Sequence, residues 1–487
     1  MATSRKIKVL LLSFGNFLSK LSSLILSIAL TRIFIISDYA NFRQTIFIYT
    51  LVSPLLLLGF DKSIYFFFAD KNVDRRNDIY NLQLFLFFIS ALYILFFYIG
   101  GANFISISFN NPGIKELLLL YSIMAILEIP VKIISPILVI EEKVKLLTLY
   151  NISYRILFVL TSIIIAYFYR DVKIVLFSQL IIAFVGFLIS QKIIYSILPF
   201  VNKLYFSISI VKKYLWIGIP LSIATIIGLL GKNIDKVIIS YYLTPIDFAI
   251  YANGAIEIPL IGSVTGAIMA IILVDFSKFY KLGETQKAIE LWNKATKITS
   301  SILIPLMFLL ILNADFLINL MYGAEYKDSV KPFVVYLFLL PIRSMIFSSL
   351  ITATGKTKVI TYGAIIFIIS NIILSIVFII LFGVIGPAIA TVIATYGLGI
   401  YYTYKIKKEY KVNFFKVYNI NQQKIYFVIG GLALVFSFIV GYITNIDNIS
   451  LVIIKNVIFV LVFVISTIVL KEHKTYIELL HILSKKK

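Results

Sequence analysis

Fourteen apolar stretches, each close to the length that spans a bilayer, follow one another along the 487 residues and leave little chain between them. A hydrocarbon core about 30 Å thick needs roughly 20 apolar residues per helix. The stretches run approximately over 8–30, 43–66, 80–101, 116–140, 146–169, 174–197, 214–240, 249–273, 298–320, 332–353, 359–382, 386–404, 425–444 and 451–470. Lipid offers a backbone no hydrogen-bond partners, so each stretch is expected to be a helix. The expected fold is therefore an all-α polytopic membrane protein with about 14 transmembrane helices. With 60% apolar and only 14% charged residues, against about 45–50% and ~25% in soluble domains, an ordinary soluble protein is excluded. No connection is long enough for an extramembrane catalytic module, and no enzyme is expected. The first stretch follows Arg5, Lys6 and Lys8 as a signal peptide would, but it is too long, holds Asn16 and Lys20, and lacks a small-residue cleavage site.

The 45 Lys and Arg outnumber the 23 Asp and Glu. They sit in short clusters between apolar stretches, the pattern of cytoplasmic loops rather than of a nucleic-acid-binding face. With the amino terminus placed in the cytoplasm, the tails and even-numbered loops carry 30 basic residues and the odd-numbered loops seven. Both termini are thus expected to be cytoplasmic. Cysteine is absent and the two histidines, His473 and His481, lie near the carboxyl end. Disulfides, thiol chemistry and a histidine site at membrane depth are excluded; neither a metal nor a cofactor is expected.

The chain resembles itself at an offset of about 210 residues. Asp38-Tyr39-Ala40-Asn41-Phe42 matches Asp247-Phe248-Ala249-Ile250-Tyr251, Pro54-Leu55 before Asp70 matches Pro259-Leu260 before Asp275, and Lys143-Val144-Lys145 matches Lys356-Thr357-Lys358. Six stretches per repeat is an even number, so both copies enter the membrane in the same sense. Such parallel halves commonly enclose a cavity and rock about it. The expected organisation is a six-helix bundle over 1–205, a second over 206–405, and a basic linker with two further helices over 406–487.

Ionisable side chains at membrane depth mark a pathway or a pair. Lys20, Lys62, Lys132, Arg155, Lys232, Lys236, Arg343 and Lys455 face Asp61, Glu128, Asp235 and Glu257, eight cations to four acids. A cavity for organic cations requires the opposite excess, so an anionic substrate is expected. Glu128 and Lys132 have the spacing of a helical ion pair. Lys232, Asp235 and Lys236 share a helical face on which Asp235 neutralises one lysine. Arg155 and Arg343 have no acid within four residues. The substrate-binding expectation falls on Lys62, Arg155, Lys232, Lys236 and Arg343; Asp61, Glu128 and Glu257 are the candidates for coupling an ion. Lys20 and Lys455 are read as snorkelling or helix-pairing groups. Pro54, Pro130, Pro136, Pro220, Pro259, Pro305, Pro341 and Pro387 interrupt helical stretches as hinges or packing kinks.

With these residues on the page, the chain resembles the polysaccharide transporter family of lipid-linked oligosaccharide flippases, in the superfamily that also holds the cation-exporting MATE transporters. The resemblance runs over essentially the whole chain. It rests on Gly59-Phe60-Asp61-Lys62-Ser63, the Asp38-Tyr39 and Asp247-Phe248 turns, Tyr251-Ala252, Gly355-Lys356-Thr357-Lys358, Gly383, and Gly386-Pro387-Ala388-Ile389-Ala390-Thr391. It implies transfer of an undecaprenyl-diphosphate-linked sugar repeat unit from the cytoplasmic to the outer leaflet of a bacterial cell membrane, by alternating access through a cationic lumen. It further implies an H+ or Na+ coupling ion, the bilayer as partner, and polysaccharide polymerase and assembly proteins as neighbours. Many members have twelve spans, so the extra helix pair is a departure. An exporter of organic cations with the same fold is the competing expectation, and a membrane polymerase or glycosyltransferase a third.

Overall fold

The computed structural model describes residues 5–70, 73–198, 204–444 and 449–477, and every regular element among them is a helix. All fourteen apolar stretches fall mainly on helix, several of them broken, as at 57–59, 255–258 and 345–346. Ten helical segments among the described residues are long and apolar enough to cross a membrane, or eleven when Ile208–Tyr242, bent by 43° near Ile223, is taken as one. The number fourteen is not reproduced by this measure. One of the ten, Lys358–Tyr410, contains two of the expected spans. They meet at Gly383, whose φ of 59° lets the chain reverse.

The helices are packed with their polar faces inward. Along Lys358–Phe382, Ile369, Ile373 and Ile380 are exposed, whereas Asn371 and Ser375 are fully buried. Asn371 hydrogen-bonds Thr391 of the Gly386–Tyr410 helix at 3.3 Å. Water would invert this arrangement; a lipid solvent selects it, because apolar side chains lose nothing by facing acyl chains and polar ones must find partners. Buried hydroxyls also bond back to their own helix: Ser437 donates to the Ala433 carbonyl at 2.7 Å, and Ser162 donates to that of Phe158 at 2.7 Å while accepting from Gln179 of the next helix at 3.1 Å.

Two compact units emerge, Met1–Ala249 and Ile250–Lys487. The Ile208–Tyr242 helix therefore belongs to the first unit, although the sequence repeat would begin the second half at 206. In the first unit Arg5–Ile33 packs along Val144–Tyr169, which in turn packs on Val172–Ile197. Ile36–Leu56 ends at a break, Leu58 and Gly59 both having positive φ, before Phe60–Phe67 resumes the path. Gly59 lies so close to Gly218 that a Cβ there would stand 2.0 Å from the Gly218 carbonyl oxygen. Helices approach to this distance only through such a pair of small residues.

In the second unit Trp292 and Phe347 pack with tilted rings, centroids 5.6 Å apart, inside a core that includes Phe276, Leu350 and Tyr410. Gln423 of Asn421–Thr444 donates to the Pro341 carbonyl and to Ser344 Oγ, both at 2.7 Å, where the helix breaks ahead of Phe347–Ala353.

The three repeat motifs occupy matching local positions. Tyr39-Ala40 and Phe248-Ala249 are fully buried, each in the first turns of a helix. Pro54 and Pro259 both flank a helix break, and Lys145 and Lys358 both open long helices.

Candidate functional site

The first unit holds a cavity of about 260 Å³ among the helices Ile114–Ile140, Val144–Tyr169 and Val172–Ile197, lined by Glu128, Lys132, Tyr150, Asn151, Tyr154 and Gly186 together with apolar side chains. Its geometry begins at Pro130. Lacking an N–H, proline cannot continue the α-helical ladder, and Pro130–Ile133 forms a tighter 3-10 turn. At about 3.0 rather than 3.6 residues per turn, Lys132 swings away from the position one α-helical turn above Glu128. The ion pair read from the i, i+4 spacing is accordingly replaced by other partners. Glu128 accepts hydrogen bonds from Tyr49 at 2.9 Å and Tyr154 at 3.0 Å, one on each carboxylate oxygen. Lys132 donates to Ser53 Oγ at 3.0 Å. Tyr150 lies parallel to Tyr154 and donates to the Gly186 carbonyl at 3.0 Å. A Cβ on Gly186 would come within 2.7 Å of the Tyr154 ring, so glycine there is what admits the tyrosine.

The remaining site expectations fall around this cavity or in other places. Arg155 adjoins Tyr154 but points to the first helix, donating to Ser23 Oγ with its guanidinium 5.4 Å from the Phe158 ring centroid. Its Nε is buried without a hydrogen-bond partner. Lys62 donates to the Leu221 carbonyl at 2.9 Å and to Thr225 Oγ1. Its neighbour Asp61 is half-buried on the same short helix. Asp235 is 1% exposed, with Lys236 Nζ 3.7 Å from its carboxylate, while Lys232 is exposed one turn earlier.

In the second unit Arg343 and Glu257, expected to serve different purposes, form one ion pair at 2.6 Å beside Tyr336 and Leu340. Lys455 stands with its amine 5.7 Å from the Phe438 ring centroid, a contact between the last two helices. Glu128, a residue expected to couple an ion, thus shares a cavity with Lys132, whereas the five expected substrate cations lie outside that cavity's lining. No group of three or more metal-ligating side chains occurs among the described residues.

Tyr49, Tyr150, Tyr154 and Ser53 were not singled out from sequence. The legible signal was the run Tyr150, Asn151, Tyr154, Arg155, polar groups one helical turn apart in a stretch otherwise rich in Ile and Leu.

Residues 29–331 match the family model described as polysaccharide biosynthesis protein. Residues 211–455 match that of the lipid II flippase MurJ. Among solved structures the chain is similar to a lipid II flippase MurJ in an inward closed conformation, with a TM-score of 0.72 and 20% identity over 95% of this chain and 99% of that one. It is also similar to a multidrug resistance MATE family transporter in an inward-facing conformation, with a TM-score of 0.60 and 15% identity over 81% and 96% of the two chains. A third is a transporter from Pyrococcus furiosus described as having a binding pocket of reversed polarity, with a TM-score of 0.54 and 14% identity over 84% and 97%. At these identities the structural likeness is one of fold. No curated protein matches the sequence. The first family model spans well over half of the chain and agrees with the structural neighbours in fold. The chain therefore belongs to the polysaccharide biosynthesis protein family, among the flippases and transporters of the multidrug/oligosaccharidyl-lipid/polysaccharide superfamily rather than among enzymes.

Proposed function

We propose that this protein is a flippase that carries an undecaprenyl-diphosphate-linked oligosaccharide repeat unit from the cytoplasmic to the outer leaflet of a bacterial cell membrane, for surface polysaccharide assembly. Alternating access through a cationic cavity is the mechanism, with both termini in the cytoplasm and two pseudo-symmetric six-helix bundles plus the helix pair as its moving parts.

The observation that carries this reading is that three of the cations in apolar stretches hydrogen-bond to neutral oxygens, whereas Lys236 and Arg343 lie beside carboxylates. Lys62 meets a carbonyl and a threonine, Lys132 a serine, and Arg155 a serine, with its Nε unpartnered. Such bonds hold each side chain in place but leave its charge for an incoming anion. A diphosphate supplies that anion, and charge-assisted bonds to it are roughly twice as strong as neutral ones. Arg343 is already paired, so in this scheme it binds substrate only by exchanging Glu257 for phosphate. The sugar requires hydroxyl and amide partners of the kind Tyr150 and Asn151 provide; the prenyl chain can stay in lipid.

Ion coupling is assigned to Glu128, Glu257 and Asp61, with Glu128 the principal group. Its carboxylate lines the cavity and is reached by a tyrosine hydroxyl on each oxygen, so an exchangeable ion there would compete with two positioned donors.

The test is leaflet exchange of a fluorescent polyprenyl-diphosphate sugar in vesicles reconstituted with the intact protein, or with Lys62→Ala, Arg155→Ala, Lys236→Ala or Arg343→Ala. Protein-dependent exchange that falls in these variants, while the fold survives, supports the proposal. Export of organic cations under a pH or Na+ gradient, with no exchange of the lipid, would replace it with the exporter.

A further inference from the structure

A second cavity, of about 530 Å³, lies in the Ile250–Lys487 unit and is lined by Glu290, Asn293, Lys294, Lys297, Gln422, Lys471, Lys474 and Thr475. Three chain segments build it. Lys294 and Lys297 share a face of Thr285–Leu312, immediately before its apolar stretch. Gln422 lies in the first turn of Asn421–Thr444. Lys471, Lys474 and Thr475 follow directly on Ile449–Val469. All three segments are therefore at the ends of apolar stretches, the level where a bilayer passes from acyl chains to headgroups.

The cleft is fixed in shape. The last helix closes with the Glu472 N–H on the Thr467 carbonyl at 2.9 Å, and Lys471 takes a positive φ of 59°. That turn directs Glu472 inward, where Lys297 and Tyr426 each meet it at 2.9 Å and Thr475 at 3.0 Å. Tyr476 then bonds to the Ser301 carbonyl at 2.8 Å. Four lysines against Glu290 and Glu472 leave the site net positive, with Lys471 and Lys474 exposed at its mouth. Beside it, the last helix turns Val464, Ile465, Ile468 and Val469 outward, and Asn421–Thr444 does the same with Val428 and Leu432.

A cationic cleft at headgroup level, continuous with an exposed apolar helix surface, matches an amphiphile with a phosphate head. We propose that this cleft binds the phosphate headgroup of an anionic phospholipid, with the acyl chains laid along the final helix pair. The site is separate from the cavity around Glu128 and does not depend on what the protein transports.

The experiment uses the full chain in lipid nanodiscs of phosphatidylcholine doped with phosphatidylglycerol or cardiolipin. Co-purifying lipid is read by native mass spectrometry, with and without excess inorganic phosphate. Lys471→Asn with Lys474→Gln removes two charges while keeping a residue that tolerates positive φ at 471. The proposal expects anionic lipid retained by the wild type to fall by ~10-fold or more in this variant, Lys471→Arg with Lys474→Arg to retain it, and inorganic phosphate to leave it in place. Equal retention in the neutral variant would overturn the site. Displacement by inorganic phosphate would reassign it to a soluble phosphate.

Discussion

The Arg343 guanidinium lies 2.6 Å from the Glu257 carboxylate, joining two side chains 86 residues apart that the sequence places in separate helices. Side-chain exposures of 30% and 41% mark the pair as partly open. At that exposure the ion pair contributes only about 0.2–1 kcal/mol to stability. A double-mutant cycle on Arg343→Ala and Glu257→Gln should accordingly return a small coupling in thermal unfolding. The transport assay should separate the two residues: Arg343→Ala loses exchange, while Glu257→Gln alters its dependence on the ion gradient. Identical transport defects in the two single variants would show that the pair is only structural.

Glu128 is held by two phenols from different helices. Removing one donor to a charged acceptor costs about 1.5–3 kcal/mol, so Tyr49→Phe and Tyr154→Phe should each destabilise the protein by that order. The quantity to measure is the denaturation midpoint in detergent. Unchanged midpoints in both variants would mean that water replaces the phenols at no cost.

Gly59 combines a φ of 75° with contact against Gly218. Alanine there meets both a backbone penalty and a collision with main-chain atoms that cannot rotate away, which together exceed ~2 kcal/mol. Gly283 also has a positive φ, 72°, but nothing within 4 Å of its Cβ position. Gly59→Ala should therefore reduce folded yield far more than Gly283→Ala, as read by fluorescence-detected size exclusion.

Burial works to raise the Glu472 carboxyl, but the bonds from Lys297, Tyr426 and Thr475 outweigh it and hold the group below the ordinary glutamate value of 4.5. A carboxyl depressed in the folded state adds stability that is complete above its unfolded value and is lost as pH falls through the folded one. Docking of the segment after the last helix should be constant near neutrality and weaken below about pH 4.5. Hydrogen exchange at Thr475 and Tyr476 measures it, and Glu472→Gln should abolish the acid-dependent part. Acid sensitivity that persists in that variant would place its origin in another group.

Local composition was enough to establish much of this protein. A run of about 20 apolar residues has to be helical in lipid whatever it packs against, so the all-α membrane fold was legible from residues alone, while the breaks inside several stretches and the count of spans were not. The local similarity of the motif pairs has the same origin: turn and break residues such as Asp38 and Asp247, or Pro54 and Pro259, act on their own few neighbours. Partner choice was not legible, because it depends on which helix faces which. The i, i+4 spacing of Glu128 and Lys132 pointed to an ion pair only on the assumption of a regular helix, and the 3-10 turn at Pro130 removes that assumption. Glu128 instead finds tyrosines 79 and 26 residues away. Arg343, with no acid on its own helix, finds Glu257 in the break between Pro245–Gly254 and Pro259–Lys281. Sequence thus determined the number of cations within apolar stretches; tertiary structure decided which of them meet a carboxylate and which a neutral oxygen, since neutralisation acts over a few ångströms and only packing sets those distances.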